Sequence, residues 1–96
     1  MKKSTLLLAC LLISSVMFAA IDVTGVVTSS EDGLPIIGAS VLEKGTTNGT
    51  ITDFDGVYAL TVSDKATLVI SYVGMTTQEV KVTGPKHDVL LQSDAI

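Results

Sequence analysis

The densest set of residues able to do chemistry lies in TTNGTITDFDG, residues 46–56, where Asn48, Asp53 and Asp55 bring side-chain oxygens close together and Gly49 and Gly56 punctuate the chain. Oxygen ligands at such spacing raise a calcium site first. Calcium takes about six to eight oxygens, and an EF-hand loop places its ligands at alternate positions. Here the alternate positions read Ile51, Asp53, Asp55, Val57, so half of the pattern is missing, and no helical period flanks it. A structural reading uses every residue instead. Asn48-Gly49 suits a two-residue type I′ turn, which needs positive φ at both central positions. Asp53 can accept hydrogen bonds from the backbone of its own turn, and Gly56 can supply the positive φ that closes it. Asn48, Gly49, Asp53, Asp55 and Gly56 are therefore expected to be structural turn residues, and no metal is expected on them.

The remaining candidates are sparse. His87 is the single histidine; alone it makes no zinc site, and alternation gives it no nucleophile as a neighbour, so it is expected to face solvent at a strand start. Glu31-Asp32 and Asp53-Asp55 offer paired carboxylates, but glycosidase-type chemistry needs two carboxyls across a cleft. A domain this small has little room for one. Asn48-Gly49-Thr50 matches a glycosylation acceptor, yet the turn already accounts for the Asn-Gly pair. No catalytic residue and no cofactor is expected.

These residues need elements to hold them, and from residue 21 onward the hydrophobic period is two. The segment 57–63 is the clearest strand, with Tyr58, Leu60 and Val62 on one face and Val57, Ala59, Thr61 and Ser63 on the other. Residues 67–73, TLVISYV, are apolar on both faces except for Thr67 and Ser71 and suit a central strand, with Tyr72 turned inward like Tyr58. After a short Gly74-Met75 connection, 76–83 alternates again with Val80 and Val82 inward. Strands are also expected over 21–29, 39–44, 50–52 and 87–92, with SEDGLPIIG as the loop between the first two. Seven short strands and no helix predict an all-β fold, a small seven-stranded Greek-key β-sandwich.

The first twenty residues are of another kind. Met1-Lys2-Lys3 is followed by STLLLACLLISSVMFAA, a basic start and an apolar run shorter than a membrane span. A signal peptide over 1–20 is expected, cut after Ala19 or Ala20, with the domain over 21–96. Lipid attachment at Cys10 would leave a second apolar run unexplained. Cleavage removes Cys10, and with it any disulfide, thiolate ligand or cysteine nucleophile. Lys2 and Lys3 go too, leaving four Lys against ten acidic residues, a net charge near −6. Such a surface repels phosphate backbones, so nucleic acid is not an expected partner.

The order of these pieces resembles a known family. From Val23 to Val82 the chain carries Gly25 followed by Val26, Asp32-Gly33, Pro35, Gly38-Ala39-Ser40-Val41, Lys44-Gly45-Thr46, Gly49, Thr52-Asp53, Gly56 and Ser71-Tyr72-Val73-Gly74. In this register they resemble the carboxypeptidase-regulatory-like domain at the N-terminus of SusC/RagA-type TonB-linked outer-membrane proteins. The resemblance implies a transthyretin-like sandwich behind a signal peptide, on the periplasmic face of the outer membrane, without peptidase activity. It implies as partners the plug and barrel of a nutrient (glycan) transporter or another periplasmic component. After HDVLLQSDAI such a transporter would continue into a TonB box, plug and barrel, so a fragment or truncated product is expected. Met75 stands where the family often has an aromatic.

Two other functions compete with this accessory role. A free-standing periplasmic module could bind a protein by strand addition, with the first and last strands as edges. A sugar platform would need exposed aromatics, and Phe54 at the turn tip is the one candidate, since alternation turns both tyrosines inward.

Overall fold

The computed structural model describes residues 19–94. Residues 1–18, which hold most of the expected leader with Lys2, Lys3 and Cys10, and the last two, Ala95 and Ile96, lie outside the described residues. Among the described residues there are seven strands and no α-helix: β1 Ala20–Ser29, β2 Ser40–Glu43, β3 Gly49–Ile51, β4 Val57–Ser63, β5 Thr67–Ser71, β6 Gln78–Lys81 and β7 Val89–Leu91. They form a β-sandwich of two sheets, ordered β4-β1-β7 and β3-β2-β5-β6.

Side-chain alternation builds the core between the sheets. In β4, Tyr58, Leu60 and Val62 are buried while Val57, Ala59, Thr61 and Ser63 are exposed. β1 contributes Val23 and Val27, β2 Val41, β5 Leu68 and Ile70, and β7 Val89 and Leu91. Each such aliphatic side chain contributes roughly 1.5–3 kcal/mol by leaving water. β5 is an inner strand, paired on both edges by β2 and β6; Leu68 and Ile70 face the core, and Thr67, Val69 and Ser71 on its other face are half-buried. Val80 is only half-buried at the margin, whereas Val82 just beyond β6 is fully inside.

The strand partners differ from expectation at one point. β1 is not an edge: antiparallel β4 lies on one side and parallel β7 on the other. Chain crossings cause this. β1 is followed by a crossing to the second sheet, and only the last strand returns to its free side, so nothing local in the sequence announces the pairing.

Each outer edge of the three-stranded sheet is tied to the other sheet. On the β4 side, Asn48 Nδ2 donates to the Thr61 carbonyl at 2.7 Å. On the β7 side, Gln78 Nε2 donates to the Leu90 carbonyl, and the Thr76 N–H donates to Gln92 at 2.8 Å. These seams join the two sheets.

Candidate functional site

Strand direction sorts the loops into two ends. β1, β3, β5 and β7 finish where β2, β4 and β6 begin, so the segments 30–39, 52–56 and 72–77 gather at one end. The β2–β3, β4–β5 and β6–β7 connections gather at the other. The stretch 46–56 therefore spans the molecule: Thr46 to Asn48 belong to the second end and Asp53 to Gly56 to the first.

Asn48-Gly49 is not the expected type I′ turn. Neither residue has positive φ; the reversal lies earlier, where Gly45 takes φ +80° and the Thr46 N–H donates to the Glu43 carbonyl at 3.1 Å. This places the positive φ at the third position of a four-residue turn, as a type II turn requires. The physical reason is long-range. The Lys44 N–H is taken by the Thr67 carbonyl at 2.8 Å, and Asn48 uses its amide to bridge Glu43 Oε1 at 3.0 Å and Thr61. That donated hydrogen bond is the main cause holding the Glu43 carboxyl below its ordinary range, against a smaller opposing effect of burial. Asn48 is thus a cross-sheet tie and Gly49 opens β3.

At the other end, the Asp53 Oδ1 accepts the N–H groups of Asp55 and Val57, both at 2.9 Å, and the Gly56 N–H donates to the Asp53 carbonyl at 3.0 Å. Gly56 sits at φ +75°. One Asp53 oxygen is thereby committed to the backbone of its own turn. Among the described residues no group of three or more His, Cys, Asp or Glu is arranged to hold a metal. Asp55 and Phe54 project from the tip, Phe54 86% exposed.

His87 differs from expectation. It is half-buried and lies before β7, not in it. Its Nε2 accepts the Thr83 N–H at 3.1 Å, its N–H donates to Thr24 at 2.9 Å, and its carbonyl receives the Tyr58 hydroxyl at 2.6 Å. It pins the β6–β7 loop to β1. Tyr72 also differs: β5 ends at Ser71, and the turn from Tyr72 to Met75, with Gly74 at φ +80°, carries the ring out to 40% exposure. Glu31 and Asp32 lie in the first crossing loop, where Asp32 Oδ1 accepts the Leu34 N–H at 3.0 Å.

Sequence reading missed three polar residues that hold these loops. Thr52, 3% exposed, accepts the Ala39 N–H at 2.9 Å and donates to the Ile36 carbonyl. Asp88 accepts the Val26 N–H at 3.0 Å. Gln78 closes the β7 seam. Thr52 stands beside Asp53 among the residues that carry the family resemblance, but a lone Thr at a strand end gives no sign of burial.

Burial pushes the Tyr58 phenol up to about 12 from 10.0, with the Asp88 carboxylate adding to the effect. The neutral phenol is therefore favoured by folding. That stabilisation is complete below pH 10 and is lost as pH rises through the folded value near 12. Tyr58→Phe should flatten the stability profile over that interval and cost about 1 kcal/mol at neutral pH for the lost hydrogen bond to His87. Urea titrations across the interval check this; an equally steep alkaline loss in both proteins would refute it.

Comparison with known proteins fits this geometry. A model of the CarboxypepD_reg-like domain matches residues 23–95. TonB-dependent receptor P39 of Formosa agariphila is 52% identical over 68% of this chain but only 6% of its own length. TonB-dependent receptor P3 of the same organism is 44% identical over 96% of the chain and 10% of its own length. TonB-dependent receptor SusC of Bacteroides thetaiotaomicron is 41% identical over 93% of the chain and 9% of its own length. The chain thus spans a tenth or less of these relatives. Among solved structures, a chain of a type II cohesin–X-dockerin complex from Acetivibrio cellulolyticus aligns at TM-score 0.59 and 19% identity, over 76% of this chain and 58% of that one, a likeness of fold. With the family model covering nearly every described residue, this chain belongs to the CarboxypepD_reg-like domain family.

Proposed function

We propose that this chain is a non-catalytic accessory module of a SusC-type TonB-dependent receptor, carried to the periplasmic face of the outer membrane, where it works by contact with other proteins. The observation that carries the reading is the identity of 41–44% along 93–96% of the chain to receptors of which it spans only 9–10%. A discrete unit of that proportion suits an appended domain. The polar groups agree with this role: Asp53, Thr52, Asn48 and His87 all serve backbone partners.

Two experiments test the reading. Alkaline phosphatase fused after residue 96 should be active when residues 1–20 are present and inactive when they are deleted, because the enzyme folds only after export. In a receptor that contains this module, its deletion should leave the barrel assembled in the outer membrane while lowering nutrient uptake. Uptake equal to that of the intact receptor would count against an accessory role.

A further inference from the structure

The loop end that gathers 30–39, 52–56 and 72–77 is unlike the rest of the surface. It exposes Leu34, Ile37, Phe54, Tyr72 and Val73, with Val73 92% exposed, and Ile51 stands beside it at 67%. Two shallow depressions lie among Leu34, Ile37, Tyr72 and Val73, with Phe54 on the neighbouring 52–56 turn. One, of about 370 Å³, lies between Leu34, Ile37, Tyr72 and Met75 and is rimmed by Glu31 and Asp32. The other, of about 410 Å³, has Ser40 and Ser71 beside Tyr72 and Val73. Register explains its shape: Ile51, Ser40 and Ser71 form one row across β3, β2 and β5, so two small side chains separate the larger ones. A monomer rarely leaves so many large apolar side chains together at one end without use.

The lysines keep to one end, whereas carboxylates lie at both. Glu31, Asp32, Asp53, Asp55 and Asp94 all belong to this end, Asp94 through its N–H donated to Gly74 at 2.9 Å. Lys44, Lys65, Lys81 and Lys86 all belong to the opposite loops or the strand end that leads into them. The ion pair among the described residues, Lys44 with Glu79 at 2.8 Å, leaves the apolar end untouched. The exposed apolar side chains thus sit in a field of five carboxylates with no lysine among them. A second copy meeting this face end to end would oppose like charges, and an anionic membrane would be repelled. A surface that combines both features complements apolar side chains flanked by cations.

We propose that this end of the sandwich is a docking face for a protein segment that carries Lys or Arg beside large apolar side chains. The inference goes beyond the receptor reading and stands on the surface alone. The loops are held in place by Thr52 and by the Asp53 turn, so the face is formed before the partner arrives.

Random peptides displayed on phage and selected against the chain provide the probe. Selected sequences should be enriched in Lys or Arg next to aromatic or aliphatic residues. In ¹H–¹⁵N correlation spectra the strongest peptide should shift amides within 31–39, 51–56 and 71–75. The double variant Phe54→Ser/Val73→Ser should weaken it at least tenfold, and Glu31→Gln/Asp55→Asn should weaken it and flatten its salt dependence. Lys65→Ala/Lys86→Ala at the other end should change nothing. All of these side chains are exposed, and circular dichroism verifies that the variants stay folded. No enrichment, enrichment without basic residues, or shifts centred on the lysine end would each overturn the proposal. Concentration-dependent self-association abolished by Phe54→Ser/Val73→Ser would instead assign the face to a second copy. Binding to neutral lipid vesicles lost in the same variant would assign it to a membrane.

Discussion

Gly25→Ala is expected to unfold the domain. A Cβ at this position would stand 1.8 Å from the His87 carbonyl oxygen and 2.6 Å from its carbon, with Tyr58 Cε1 at 2.9 Å. Two of the three obstacles are backbone, so no rotamer change relieves them. β1 cannot move away either, because β4 and β7 hold it on both sides. The segment 85–87 would have to lift off instead. That breaks the bonds from the Thr24 N–H to Pro85, from the His87 N–H to Thr24 and from the Tyr58 hydroxyl to His87. Three hydrogen bonds at about 1 kcal/mol each, with loosened packing around Tyr58 added, come to roughly 4 kcal/mol or more. Small domains hold only about 5 kcal/mol at the lower end of the usual range, so little folded protein should remain. Gly84→Ala is the control, since nothing lies within 4 Å of its added Cβ. A Gly25→Ala protein with a urea midpoint close to that of Gly84→Ala would show instead that the His87 segment yields cheaply.

Gly25 also illustrates what the sequence could show. Its place in a β-strand was legible from alternation, and so was the inward face of β4, because a period of two needs only neighbours along the chain. What it makes room for was not legible, since the carbonyl it faces lies 62 residues further on. The same limit explains the misplaced reversal between β2 and β3. Lys44-Gly45 and Asn48-Gly49 are both credible turn pairs by composition. The choice was made by Thr67 and Thr61, which take the Lys44 N–H and the Asn48 amide from other strands. Tyr72 differs for another reason. Alternation determines facing only as far as Ser71; beyond it the chain turns, and the Tyr72 ring joins the exposed loop end instead of the core. The parallel partnership of β1 with β7 was hidden most deeply, because a strand next to the last in space can be the first in sequence. The confinement of the lysines to one end has the same origin: the residues are scattered along the chain, and only the alternating direction of the strands collects them.

Thr52→Val should cost roughly 2–4 kcal/mol, because it leaves a buried donor and a buried acceptor without partners at about 1–3 kcal/mol each. The isopropyl group fills nearly the space of the threonine side chain, so packing changes little and the loss is polar. The donor is the Ala39 N–H and the acceptor the Ile36 carbonyl; Ala39 is fully buried and Ile36 6% exposed. For a domain of this size, each kcal/mol lowers the melting temperature by about 4–8 °C. Thr52→Ser keeps both hydrogen bonds and gives up one methyl group, so its loss should be about 1 kcal/mol. The ordering Thr52→Val worse than Thr52→Ser separates hydrogen bonding from packing; the reverse order would mean that the methyl group matters more. The damage should also be local. Thr52 receives the Gly38 N–H on its carbonyl and gives its own N–H to Ala39. Amides over 36–39 should therefore exchange faster than those of β4 in the Val variant even where the domain stays folded. That segment carries Ile37 and borders both depressions of the apolar end. A peptide that docks there on a preformed face would have to order the segment again, so it should bind the Val variant more weakly than the Ser variant at a temperature where both are folded. Equal affinity for the two would mean that the face owes nothing to Thr52.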